Sequence, residues 1–160
     1  MAKKAKEPVR VEQRRAKIRF HLDPANEQGV ETESVWAEPV GIDKFRVLNS
    51  PFYIFGVSAE DIVTASEIGG QLEVREVVSR GGHSTYRVFL QGGRTIQDID
   101  FQLLWGPISS LGATFENAND HFVSVDIPPG GNGAEIYRLL EKGEEGGIWA
   151  FEEAHYEPKH

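Results

Sequence analysis

The chain has 160 residues, no cysteine, and 17 Lys plus Arg against 25 Asp plus Glu, for a formal charge of −8. That length suits one ordinary domain or two small lobes sharing a core. The missing thiols exclude a disulfide framework, a cysteine nucleophile and any cysteine-based zinc site, and no run approaches the roughly 20 apolar residues of a membrane helix. The first segment, 1–16, is predicted to be a disordered basic tail: Lys3, Lys4, Lys6, Arg10, Arg14 and Arg15 stand there beside only Glu7 and Glu12. It has no apolar stretch behind it and so does not read as a secretory signal.

After the tail, "KIRFHLD" alternates Ile18, Phe20 and Leu22 with polar residues, the period-two pattern of a half-buried strand. "TESVWAEPVG" and "KFRVLNS" read as two more strands joined across "GIDK", and "PFYIFGV" as an aromatic, β-branched run bounded by Pro51 and Gly56. "SAED" resembles one helical turn, then "IVTASEI" and "QLEVREVVS" are strands separated by Gly69-Gly70. Gly81-Gly82 predicts a tight hairpin into the strand "STYRVFLQ".

"TIQDIDFQLLW" places Ile96, Ile99, Leu103 and Leu104 at helical spacing, with Thr95 and Asp98 as a capping box and Gly106-Pro107 as its break. "ATFENA" and "HFVSVDIPP" follow as strands. Asn132 and Glu135 cap a second helix with an inner stripe of Ile136, Leu139 and Leu140, which Gly143 can end. "GIWAFEEAHY", apolar on both faces at its start, reads as a central strand.

This order predicts an α+β chain. A small antiparallel β-barrel-like lobe occupies 17–81, and a ferredoxin-like βαββαβ lobe with both helices on one sheet face occupies 82–157.

The candidate chemistry centres on the corner "SRGGHSTYR". His83, Ser84 and Thr85 follow two glycines, and Arg80, Arg87 and an out-of-phase Glu76 lie nearby. As a ligand site, Glu76, Arg80, His83, Ser84 and Thr85 would face a cleft between the lobes. As a structural corner, the glycines turn the chain and the hydroxyls bond nearby backbone. A phosphate loop needs its glycines to open a helix, and here they open a strand. Glu76 either faces inward or is turned out by a bulge.

Glu152 and Glu153 are adjacent on a strand, so they face opposite sides and cannot form an acid–base pair. The histidines at 21, 83, 121, 155 and 160 show no metal-ligand spacing, no serine has a nucleophile-elbow context, and no nucleotide loop is present. "GGNG" at 130–133 is the best anion-site candidate by sequence. No catalytic residue, metal or cofactor is assigned.

"ESVWAEPVG", "FRVLNSPFYIFGVSAEDIV", "EVVSRGGHSTYRVFL", "VSVDIPP" and "GGIWAFEEA" together resemble a family of small acidic bacterial proteins known only as a domain of unknown function. The likeness spans 17–156 and is most specific around Trp36, Gly56, Gly82-His83-Ser84 and Trp149–Ala154. It implies no activity, cofactor or catalytic residue.

Beyond residue 17 the chain carries 10 basic against 23 acidic side chains, a net of −13. Such a body repels phosphate backbones, leaving nucleic acid only the basic tail, and attracts basic partners. The expectation is therefore a cytoplasmic, non-catalytic protein-binding module, resembling an immunity or antitoxin protein that neutralises a basic toxin. Trp36, Tyr53, Trp149 and Glu152 are its candidate interface residues. A small enzyme or ligand-binding protein with a site near His83 is the alternative.

Overall fold

The computed structural model describes residues 14–26 and 28–158, so the basic tail lies outside the described residues except at 14–16. The chain runs β1 (Ala16–His21), β2 (Thr32–Gly41), β3 (Lys44–Val47), β4 (Ile62–Ile68), β5 (Gln71–Ser79), β6 (Ser84–Leu90), α1 (Ile99–Ser110), β7 (Thr114–Asn119), β8 (Phe122–Ile127), α2 (Gly133–Glu145) and β9 (Trp149–His155).

Strands β1 to β5 form a closed barrel in chain order. Each neighbour is antiparallel to the last, but the seam between β1 and β5 is parallel, with Ile18 opposite Leu72. This corrects the all-antiparallel expectation for a geometric reason: an odd number of up-and-down strands leaves the first and last pointing the same way. Alternation puts Ile18, Phe20, Val35, Ala37, Phe45, Val47, Val63 and Ala65 inside, where they form one buried cluster with Val57.

The second sheet has the order β7-β8-β6-β9, all antiparallel. Tyr86, Val88, Leu90, Val123 and Val125 line one face and pack with Phe101 and Ile108 of α1 and Ile136, Leu139 and Leu140 of α2. The other face carries Thr85, Arg87 and Phe89 opposite Asp126, Ser124 and Phe122. A barrel loop between β3 and β4 covers it.

The architecture corrects the fold class. The protein is mostly β, 43% strand against 18% helix with two helices, in two sheets. The expected α+β class with a ferredoxin-like C-terminal lobe gives way to that description. Element order had given the helices the weight of a full layer, whereas they span 12 and 13 residues and cover one face only. Five local expectations change with it.

"PFYIFGV" is loop rather than strand, because Glu33 holds it by accepting the backbone N–H groups of Phe52, Tyr53 and Ile54 at 2.6, 2.9 and 2.9 Å. Gly81-Gly82 is not a hairpin, since β5 and β6 belong to different sheets. Strand β9 is an edge rather than a centre; its apolar start is covered by helices, and the Phe151 N–H donates to Glu144 Oε1 at 3.0 Å. Helix α1 begins at Ile99 and continues through Pro107, and α2 runs past Gly143.

Candidate functional site

The corner after β5 is shaped by close approach. A Cβ on Gly81 would lie 2.6 Å from both the Cβ and the carbonyl oxygen of Glu60, and one on Gly82 would lie 2.9 Å from Pro129 Cγ. Gly82 also has φ +89°, and Glu60, the residue Gly81 touches, has φ +75°, a left-handed conformation that costs a side-chain-bearing residue energy. The glycines therefore let two chain segments touch.

Asp61 locks this contact. Its fully buried carboxylate accepts from Ser58 N at 2.9 Å, Gly81 N at 3.0 Å and Arg80 Nη1 at 2.9 Å. Arg80 Nη1 also donates to the Gly56 carbonyl at 2.7 Å. A buried carboxylate needs such a full set of donors.

His83 lies beyond the corner, its Nδ1 2.9 and 3.0 Å from the two oxygens of Asp126 on β8. Desolvation pushes the Asp126 carboxyl above the usual range, and the attraction of His83 partly offsets it. Among the described residues nothing bonds Nε2. The ring borders a cleft of about 350 Å³ lined also by Arg46, Glu60, Ile62, Ser79, Arg80 and Gly81. Arg46 Nη1 is held by Glu38 Oε1 at 2.9 Å, and its Nε stands 3.7 Å from Glu60.

Of the five residues expected at this cleft, Arg80 and His83 line it. Ser84 faces elsewhere and accepts from Glu157 N at 2.8 Å. Thr85 is buried against Ser58, hydroxyl to hydroxyl at 2.5 Å. Glu76 is exposed on the barrel wall: the register shifts between Thr64 and Ala65, so Arg75 bulges and Val74 and Val77 take the interior positions. Arg46 and Glu60 were not singled out from the sequence, and Asp126 was named only as a residue that could cluster with a histidine.

The expected interface residues do not share a surface. Trp149 is 1% exposed, its Nε1 donating to the Leu140 carbonyl at 2.8 Å, so it is a core residue and not an anchor. Trp36 is exposed on β2 with Lys17 Nζ 5.1 Å above its ring. Tyr53 packs edge-on against Phe122 at 5.7 Å. Glu152 sits 3.6 Å from the buried Arg87, whose guanidinium also donates to the Ile54 carbonyl and faces Phe55 at 4.9 Å. Glu153 points to the other face, toward Tyr86.

A different surface stands out on the helical layer. Helix α1 carries apolar residues on more than one face, interrupted by Asp100, Gln102, Ser109 and Ser110, and buries only Phe101 and Ile108. Ile99 and Leu103, one turn apart, are 67% and 68% exposed. On α2, beside α1 on the same sheet face, Glu141, Glu144 and Glu145 are exposed, together with Tyr137 and with Glu153 of β9. Among the described residues no cluster of three or more metal-ligating side chains occurs, and no helix is long and apolar enough to cross a membrane.

Residues 33–151 match the family described as Domain of unknown function (DUF4265). The chain belongs to that family. No curated protein matches this DUF4265 chain. A solved structure titled "Novel crystal structure of a hypothetical protein from Neisseria gonorrhoeae" is similar to it, with a TM-score of 0.77 at 16% identity, over 91% of this chain and 97% of that one. At that identity the likeness concerns the fold alone.

Proposed function

We propose that this DUF4265 protein is a non-catalytic, cytoplasmic binding module for a basic protein, in the manner of an immunity or antitoxin-like protein that masks a basic toxin. The observation that carries the reading is the outer side of the helical layer. Exposed large apolar side chains that lie together mark interaction surfaces, and α1 leaves Ile99 and Leu103 in water. Those residues offer an apolar anchor, and the exposed carboxylates of the neighbouring helix α2 give the same layer its acidic character. The arrangement gives contact energy at the centre and charge steering around it. Of the cationic side chains on this layer, Arg94 pairs with Asp100 and Arg138 with Glu135, and Lys142 stands exposed between Glu141 and Glu144.

The test is cross-linked affinity capture from the source cells at low and high salt. The bait is wild type, Ile99→Asp with Leu103→Asp, or Glu141→Lys with Glu145→Lys. A basic protein captured by wild type, and lost with either double variant and at high salt, is expected. The same proteins retained by all three baits would end the proposal.

A further inference from the structure

The His83 cleft gathers His83, Arg46 and Arg80 around one lining carboxylate, Glu60. We propose that it binds a small oxyanion, a carboxylate or a phosphate monoester, held by Arg46 and Arg80, with His83 Nε2 as a third donor once the imidazole is protonated.

The carboxylates behind the cleft wall are already engaged. Asp61 accepts three donors, and both oxygens of Asp126 face His83 Nδ1. Arg80 uses Nη1 for both of its partners, and Arg46 uses Nη1 for Glu38, so each keeps N–H groups for the cavity it lines. Two guanidinium groups, an imidazole and the Ser79 hydroxyl thus line the cleft with one carboxylate, Glu60, and Glu38 is held against Arg46 Nη1. A planar guanidinium fixed at one nitrogen is preorganised for a carboxylate or phosphate. The neighbouring cavity beyond Gly82, of about 400 Å³, has Glu157 in its wall and no cationic side chain. It includes the start of α2, and nothing there points to a ligand.

The ring orientation adds a signature. With Nδ1–H donated to Asp126, neutral His83 has a bare lone pair at Nε2, which an anion does not want; protonation converts it to a donor. Anion binding at Nε2 should therefore be accompanied by uptake of a proton. The charged groups around the His83–Asp126 pair are Glu60 on the loop, Glu116 on β7, and Arg46 and Arg80 across the cleft.

The experiment is a backbone-amide and histidine-ring NMR titration of the full chain with inorganic phosphate and, separately, with acetate. We expect saturable shifts at Gly81 and His83 with at least one probe. Saturation by phosphate alone assigns a phosphate ester, and by acetate alone a carboxylate. Arg46→Gln should weaken binding about tenfold, the worth of roughly one charged hydrogen bond. His83→Gln should abolish the pH dependence. If that variant does not fold, calorimetry of the wild type in two buffers of different ionisation enthalpy reads the same proton uptake. Shifts that stay linear in both anions, or saturation unchanged in Arg46→Gln and without proton uptake, would overturn the inference.

Discussion

A methyl group on Gly143 would fall inside the Trp149 indole, closer than carbon atoms can approach. This glycine is therefore a helix-interior residue selected by packing, although the sequence read it as a helix stop. Overpacking of a core typically costs about 1 to 3 kcal/mol. Gly143→Ala should lose at least that much despite its better helix propensity, as read by urea denaturation. A stability equal to wild type would mean the indole can move aside.

Asp126 gives a second residue-scale prediction. Its carboxyl is raised above the ordinary 3.8, with desolvation the largest cause. A raised acid favours the folded state while it is protonated, below the unfolded value, and loses that contribution as pH rises through the folded one. Carbon-13 NMR should show Asp126 titrating above 3.8. The stability of wild type relative to Asp126→Asn should fall as pH rises across the carboxyl range. A normal or depressed titration would contradict the burial that the structure assigns.

At the element scale, α1 shows where periodicity stops being decisive. The sequence stripe Ile96, Ile99, Leu103 and Leu104 is split by the fold: Ile96 and Leu104 pack against the core with Phe101, Trp105 and Ile108, whereas Ile99 and Leu103 face water. The helix carries apolar residues on more than one face, and the position of Phe115 and Trp149 against Phe101 decides which face is buried. Ile108→Ala should then cost about 2 to 5 kcal/mol. Ile99→Ala and Leu103→Ala should stay within about 0.5 kcal/mol of wild type, as chemical denaturation would show. Equal losses at 99 and 108 would restore the sequence-based orientation. Elsewhere strands were readable wherever one face is buried, as in β1 and β2. The aromatic run at 51–57 was misread because a distant carboxylate, Glu33, satisfies its backbone in place of a sheet partner.

At the scale of the whole molecule, barrel and sheet meet through buried polar groups. Ser124 Oγ donates to the Pro51 carbonyl at 2.8 Å and pairs with Ser50 Oγ at 2.7 Å, while Ser58 pairs with Thr85. Separating the halves would not return these groups to a well-formed alternative, so unfolding should be a single transition. Trp36 reports the barrel, and Trp105 and Trp149 report the sheet. Tryptophan-to-phenylalanine variants leaving one reporter at a time should give coincident denaturation midpoints, and two separated midpoints would show independent lobes.

By itself the sequence determined the strand and helix segments with buried faces, the family, the charge of the body and the absence of thiol chemistry, because these follow from local periodicity and composition. Tertiary structure alone decided the parallel seam of the barrel, the edge position of β9, and which apolar stripe of α1 meets water. It also brought Arg46, Glu60 and Asp126 to His83 from residues up to 43 positions away. Period and propensity act over a few neighbours along the chain, whereas sheet order and the convergence of charged groups are set by closure and packing between segments that carry no local mark of each other.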